Sequence, residues 1–317
     1  MAGNPNYNRL LSSTIEKFIP RAEDNIFGSK PVLYAITNFG SVETLDGGES
    51  ITQPLMYAEL RNQGSYTGAD TFLTDEDEGL TAANFDWGQY YGMIRLKNID
   101  LAKNSGAPAI LRIVQHEMQR AELSISESLD EMFVSDGSGN GGKDWNGLKN
   151  LVSDTVSLGG IDPTAAGNDW WQSSVSGTVG DQDSFADLRA KYIAVSEGND
   201  FPTNIFTTAE LYAQYDSLFE QNQRFMDPAM ANQGFETIMF HSAPIAFDRN
   251  IDAGYVYLLN LKYVTLYKLG DNWFKMSDWE EPINQDVTFK KIKLYGQLTV
   301  SNRKRQGLLT GATVPSP

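Results

Sequence analysis

The chain contains no cysteine, so disulfides, thiolate zinc sites and cysteine nucleophiles are excluded at once. Histidine is almost as scarce, with His116 and His241 the only 2 among 317 residues. A histidine metal cage or a His-pair acid–base system therefore has nothing to be built from. Positive charge is also short: 25 basic residues face 41 acidic ones, for a net charge of −16. Such a surface repels phosphate at long range, which argues against a dedicated nucleic-acid reader and suits a surface that lies near DNA without sticking to it. No apolar run approaches the roughly 18 residues of a membrane span, and the N-terminus lacks a signal-peptide core. These absences place the chain in a cytoplasm or an equivalent reducing space, with no membrane partner.

What is present starts with one long helix. Leu111, Val114, Met118, Ala121, Ile125, Leu129 and Met132 recur in steps of three and four, which predicts a helix over Ala107 to Val134. Pro108 suits its first turn, and Gly137, Gly139, Gly141 and Gly142 stop it. At 1.5 Å per residue it is roughly 40 Å long, a spine on which strands can be laid. Arg112, Glu117, Arg120, Glu122, Glu127, Asp130 and Glu131 lie between the apolar positions and read as its wet side.

Before the spine, residues 1–30 read as an arm, polar at first and then amphipathic from Leu10 to Ile19. Val32 to Val42 is strand-like, Asp46-Gly47-Gly48 turns the chain, and Ile51 to Leu60 is a second strand, edge-like because of Pro54. A long polar stretch with the acidic run Asp75-Glu76-Asp77-Glu78 leads to a strand from Phe85 to Leu96. Strands joined by so long a connection predict a projecting hairpin, which alone is marginal in water and needs a partner to pack on. After the spine, helical spacing from Ser184 to Glu197 and from Ala209 to about Phe225 mixes with short strands. The last strand pair runs from Trp273 to Trp279 and from Val287 to Val300. The mixture is α+β, without the regular alternation of a doubly wound sheet.

Chemistry is hard to find. Gly137 to Asp144 has the glycines and lysine of a phosphate-binding loop, but Asp144 replaces the hydroxyl and a helix precedes it where a strand is needed. The run Asp75 to Glu78 fails calcium-loop spacing, since Gly79 and Leu80 occupy the fifth and sixth places. It reads as a solvated loop or as a patch for cations on another subunit. Tryptophan beside carboxylate recurs in Asp169-Trp170-Trp171, Asp271 with Trp273, and Asp278-Trp279-Glu280-Glu281, which makes a carboxylate-pair glycosidase the strongest enzyme reading. Arg303-Lys304-Arg305 is too short for a nucleic-acid arm and reads as a structural anchor. No nucleophile, base and oxyanion donor come together. With no catalytic, cofactor or metal residue to assign, the arm, hairpin and spine point to a protein whose work is assembly.

Three stretches carry a resemblance: Gly159-Gly160-Ile161-Asp162 with Trp170-Trp171; Phe247-Asp248-Arg249-Asn250-Ile251 leading to Tyr255 and Leu259-Asn260; and Leu298 to Leu308. Together with the order of parts they resemble the major capsid proteins of tailed bacteriophages, with the Hong Kong 97-type fold. The resemblance implies an N-terminal arm and first strand (1–40) and an extended loop (41–87). It implies a peripheral domain (88–145 and 253–317, with the spine at 107–134) and an axial domain (146–252). It further implies self-assembly into hexamers and pentamers of an icosahedral shell around double-stranded DNA, formed in the host cytoplasm and carried in the virion. A portal and a decoration protein are implied partners. Because no long helical extension precedes the arm, a separate scaffolding protein is expected too. Candidate inter-subunit contacts are Tyr57, Glu59, Arg61, Asp75, Glu76, Asp77, Glu78 and Trp87 of the loop, with Arg303, Lys304 and Arg305 as cationic partners. Some members of that family weld their shells by isopeptide bonds from an extended-loop lysine; here no lysine lies between Lys30 and Lys97, so a non-covalent shell is expected. An encapsulin-like compartment shares the fold and is the nearest alternative.

Overall fold

Pro31 opens the first element, where its missing N–H costs nothing, and Val32, Leu33, Ala35 and Ile36 behind it are all buried. The segment expected as a strand is therefore helix α1 (Pro31–Phe39). Apolar residues in so short a run fit either period, and burial on a helical face decided it. Gly40 ends the helix with its N–H on the carbonyls of Ala35 and Ile36, and strand β1 (Ser41–Leu45) follows. The computed structural model describes residues 30–72, 75, 78–99, 107–177, 185–219 and 238–312. The expected arm, along with Glu76 and Asp77, lies outside these.

Strands β2 (Ile51–Met56) and β3 (Leu80–Phe85) pair antiparallel as a two-stranded ribbon, Met56 opposite Leu80. Strand β4 (Gly88–Lys97) is separate and enters a sheet. The hairpin partner is thus residues 80–85, not the whole of 85–96, because Asp86-Trp87 breaks the strand before Gly88. Helix α2 (Ala107–Val134) is the expected spine, with Val114, Met118, Ile125, Leu129 and Met132 buried. Gly92 of β4 faces Ile125, and a Cβ there would come within 2.8 Å of its Cδ1, so glycine allows sheet and helix to close up. Asp130, expected on the wet side, is fully buried. It lies four residues after buried Ser126 and three before buried Phe133, on a second inward stripe.

Strand β5 (Ser174–Gly177), helix α3 (Phe185–Val195), strand β6 (Asn204–Thr207) and helix α4 (Ala209–Phe219) come next. The remaining strands are β7 (Ile238–Phe240), β8 (Ala243–Phe247), β9 (Val256–Leu259), β10 (Val264–Leu269), β11 (Lys275–Met276), β12 (Val287–Val300) and β13 (Gly307–Thr310). One sheet runs β1-β10-β12-β11, with β4 also on β12 along a ten-residue register from Gly88↔Gly296 to Lys97↔Val287. The other runs β5-β13-β9-β6-β8-β7. In the second sheet alternate residues of one strand enter different cores: Phe206, Tyr257 and Leu259 join the core around the spine, while Ile205, Val256 and Leu258 pack with α3 and α4. Burial on both faces explains why these strands read as unbroken apolar runs. Because β9 and β13 belong to this sheet, the stretch 253–317 is divided between the two sheets rather than serving the spine's sheet alone.

Candidate assembly surface

The hairpin grows from a seat made by its own chain. Leu158 and Ile161 bridge across the turn Gly159-Gly160, whose φ values of 64° and 80° suit glycine. A Cβ on Gly159 would meet that of Ala83 at 2.6 Å, and its carbonyl accepts the Asn84 N–H at 2.9 Å. Asp162 closes the turn by accepting the amide (2.9 Å) and hydroxyl (2.7 Å) of Thr164, bonds that hold its carboxyl below the usual range. Trp170 stacks on Tyr57 (5.3 Å between centroids, 26° between planes), and Trp171 turns inward to donate to the Leu158 carbonyl at 3.1 Å. The base of the hairpin thus packs on its own body, contrary to the expectation that it needs a partner there. Ile51, Leu55, Ala83 and Phe85 are buried on that seat.

Beyond the base the hairpin changes character. Met56, Leu60, Tyr66, Phe72 and Leu80 are between 61% and 82% exposed. Tyr66 and Phe72 meet only edge to face at 5.0 Å. Glu59, Arg61, Asp75 and Glu78 are exposed beside them, and Asn62 donates to the Asp75 carbonyl at 2.6 Å. Trp87, at the base, is half-buried and donates to the Gly48 carbonyl at 2.9 Å. This is an apolar patch with an acidic edge.

The expected cationic partners divide. Arg303 is fully buried, so it is not a surface contact: its guanidinium donates to the carbonyls of Leu151 (3.1 Å), Val156 (2.9 Å) and Asn150 (2.9 Å) and lies 5.7 Å from the Trp171 ring centre. Burial pulls its pKa down to about 10, still charged at neutral pH. Arg305 is half-buried and pairs with Glu197, while Lys304 is exposed. Arg303 anchors the end of β12 to the stretch that leads into the hairpin's seat, and Arg305 ties it to Glu197 instead. A different cationic feature is invisible in the sequence, because its residues come from two elements. A groove of about 510 Å³ between β4 and the spine carries Arg95, Lys97 and Arg120, and the one carboxylate among its described lining residues, Glu117, pairs with Arg120 at 3.6 Å. Exposed Tyr91, Met93 and Leu123 lie on the same two elements.

The residues of the glycosidase reading do not converge on a cleft. Trp170 is stacked on Tyr57 and Trp171 covers Arg303, Trp273 packs on Trp145 (5.8 Å), and Trp279 lies near Lys290. The glycine loop after the spine forms a helix stop with positive φ at Gly137, Asn140, Gly141 and Gly142. Among the described residues no three His, Asp or Glu side chains form a metal cluster, and no helix is long and apolar enough to cross a membrane.

No protein-family model and no curated protein matches the sequence. Solved structures do match in fold. The capsid of cyanophage A-1(L) is similar with a TM-score of 0.62 at 13% identity, over 90% of this chain and 94% of that one. The capsid of a native GTA particle gives 0.61 at 12% identity, over 88% and 90%. The fold is the Hong Kong 97-type capsid fold. An encapsulin from Synechococcus elongatus PCC 7942 shares this capsid fold, with a TM-score of 0.53 at 10% identity over 89% and 88% of the two chains. Coverage near nine-tenths means that the likeness extends to the fold of most of the chain rather than to one part of it.

Proposed function

We propose that the chain is the structural subunit of a phage shell, assembling as hexamers and pentamers into the icosahedral head around DNA, and that it is not an enzyme. The observation that carries this is that one chain presents two surfaces of opposite charge. The hairpin tip is apolar with an acidic edge, and the β4–spine groove is mainly polar and cationic, with Met93 and Ala121 among its lining. Two different surfaces that fit each other make a head-to-tail contact, which closes into rings when the rotation permits. In this reading residues 41–87 are the extended loop, and Asp75 to Glu78 of one subunit meet Arg95, Lys97 and Arg120 of the next. Lys304 is left as a further cation, and scaffolding protein and portal belong to the same assembly.

Size-exclusion chromatography with negative-stain microscopy tests the reading. Shells are expected, uniform in size when the scaffolding protein is supplied, dissociating to a 35.2 kDa subunit band on boiling in detergent. A chain that stays single under every assembly condition overturns it, and a ladder that survives boiling overturns its non-covalent form. Packaged nucleic acid rather than enzyme cargo separates it from an encapsulin compartment.

The ionic edge gives a second result. Exposed ion pairs contribute about 0.2–1 kcal/mol each. Replacing Asp75, Glu76, Asp77 and Glu78 by their amides is therefore expected to lower particle melting by a few degrees, about what high salt does to the wild type. Equal melting of the two particles would leave the run a solvated loop.

A further inference from the structure

Among the described residues, the most heavily buried carboxylates take no part in the surfaces described above. Asp130, on the inner face of the spine, is fully buried, and Asp248, just after β8, is 3% exposed. The two face each other, and one oxygen of each, Oδ1 of Asp130 and Oδ2 of Asp248, has no hydrogen-bond partner among the described residues. Their other oxygens are used. Asn250 Nδ2 donates to Asp130 Oδ2 at 2.7 Å, and the Asn250 amide donates to Asp248 Oδ1 at 3.0 Å. Nearby cations are already engaged: Lys30 (2.6 Å) and Arg249 both pair with Glu127, one turn earlier on the spine, and Lys149 pairs with Asp252 at 2.6 Å. Two buried carboxylates without a contacting cation cannot both stay ionised cheaply, whereas one proton between the free oxygens would satisfy both.

We propose that Asp130 and Asp248 share a single proton, and that this proton latches the 247–251 turn of the six-stranded sheet onto the spine helix. The turn is the Phe247 to Ile251 motif of the sequence, which no surface contact accounts for. Burial first, and the Asp248 charge second, push the Asp130 pKa up to about 7. The sign follows from proton binding. Between the ordinary carboxylate range and about pH 7 the folded chain holds a proton that the unfolded chain has released. The latch is therefore at full strength in acid, weakens as pH rises to about 7, and is level above that. The coupling amounts to about tenfold in the opening equilibrium per pH unit inside that window. Acidification tightens the joint between the two sheets and neutral pH loosens it. This concerns contacts within one subunit and stands whether or not shells form.

Hydrogen exchange of the full chain, corrected for intrinsic rates, tests it on peptides spanning 125–134 and 247–251. Wild-type protection is expected to rise about tenfold per unit as pH falls from about 7 to 5.5. Asp130→Asn supplies a fixed N–H in place of the proton, so its protection should be flat with pH and at least wild-type near pH 8. A flat wild type, or a variant that keeps the wild-type slope, overturns the proposal. Infrared spectra of the wild type guard against a variant that fails to fold. A protonated-carboxyl band is expected near pH 6 and should fade above about 7; a spectrum without it overturns the proposal, Asp130→Asn should remove it, and Asp248→Asn, which keeps the burial but takes away the neighbouring charge, should move its fading to lower pH.

Discussion

Arg303→Ala is expected to lower the unfolding free energy of the unassembled chain by about 4–6 kcal/mol, the largest loss from any single side chain considered. A hydrogen bond to a charged donor contributes roughly 1.5–3 kcal/mol, and a buried carbonyl left without a partner costs roughly 1–3 kcal/mol. Three carbonyls lose a guanidinium donor together here, those of Leu151, Val156 and Asn150, Leu151 keeping only the Ser173 hydroxyl at 3.4 Å, and a void opens under Trp171. Relaxation and water entry recover part of the sum, which sets the range below simple addition. Arg303→Lys tests the geometry. One ammonium cannot reproduce the planar fork that spans three acceptors, so lysine should restore only a minor part. Urea unfolding reads both variants. A loss under about 1 kcal/mol for alanine would mean that water replaces the guanidinium freely and that the clamp is not structural.

That a charged side chain is the main clamp of this region is only half visible in the sequence. The triplet Arg303-Lys304-Arg305 reads as an anchor, which holds for Arg303 and Arg305, yet the same residues also read as partners for a neighbour's loop. Nothing local tells a buried arginine from an exposed one, because its partners are carbonyls about 150 positions away. The spine is legible because 28 residues of one period leave no competing pattern. Helix α1 is not, since its nine residues satisfy a strand as well as a helix. Asp130 is misplaced for a related reason. Counting one apolar stripe assigns every polar residue to water, but a spine packed on two sides has two inward stripes. The proposed pairing of surfaces is invisible altogether. The acidic tip stands out as a run, whereas Arg95, Lys97 and Arg120 become a cluster only when β4 lies along the spine.

Shortening the hairpin should separate folding from assembly. Met56 and Leu80 are already paired, so Asn-Gly can replace residues 57–79 as a two-residue turn of the type that suits antiparallel strands. The folded subunit should barely notice. The described residues among those removed are almost all exposed, and their main packing on the body is the Tyr57–Trp170 stack, worth about 1 kcal/mol. Assembly should fail. Fully burying one large apolar side chain contributes roughly 1.5–3 kcal/mol, and Leu60, Tyr66 and Phe72 leave together with the acidic edge. Weakening each association by about 4 kcal/mol is about a thousandfold in its equilibrium constant, and every junction around a ring carries it. The shortened chain is expected to keep its unfolding midpoint to within a few degrees while giving no shells at concentrations where the wild type forms them. Shells of normal size from that chain would show that the tip is a bystander and that the junction between subunits lies elsewhere on the fold. A chain that unfolds instead would show that the tip, and not the seat at Gly159 and Trp170, holds the hairpin to its own body.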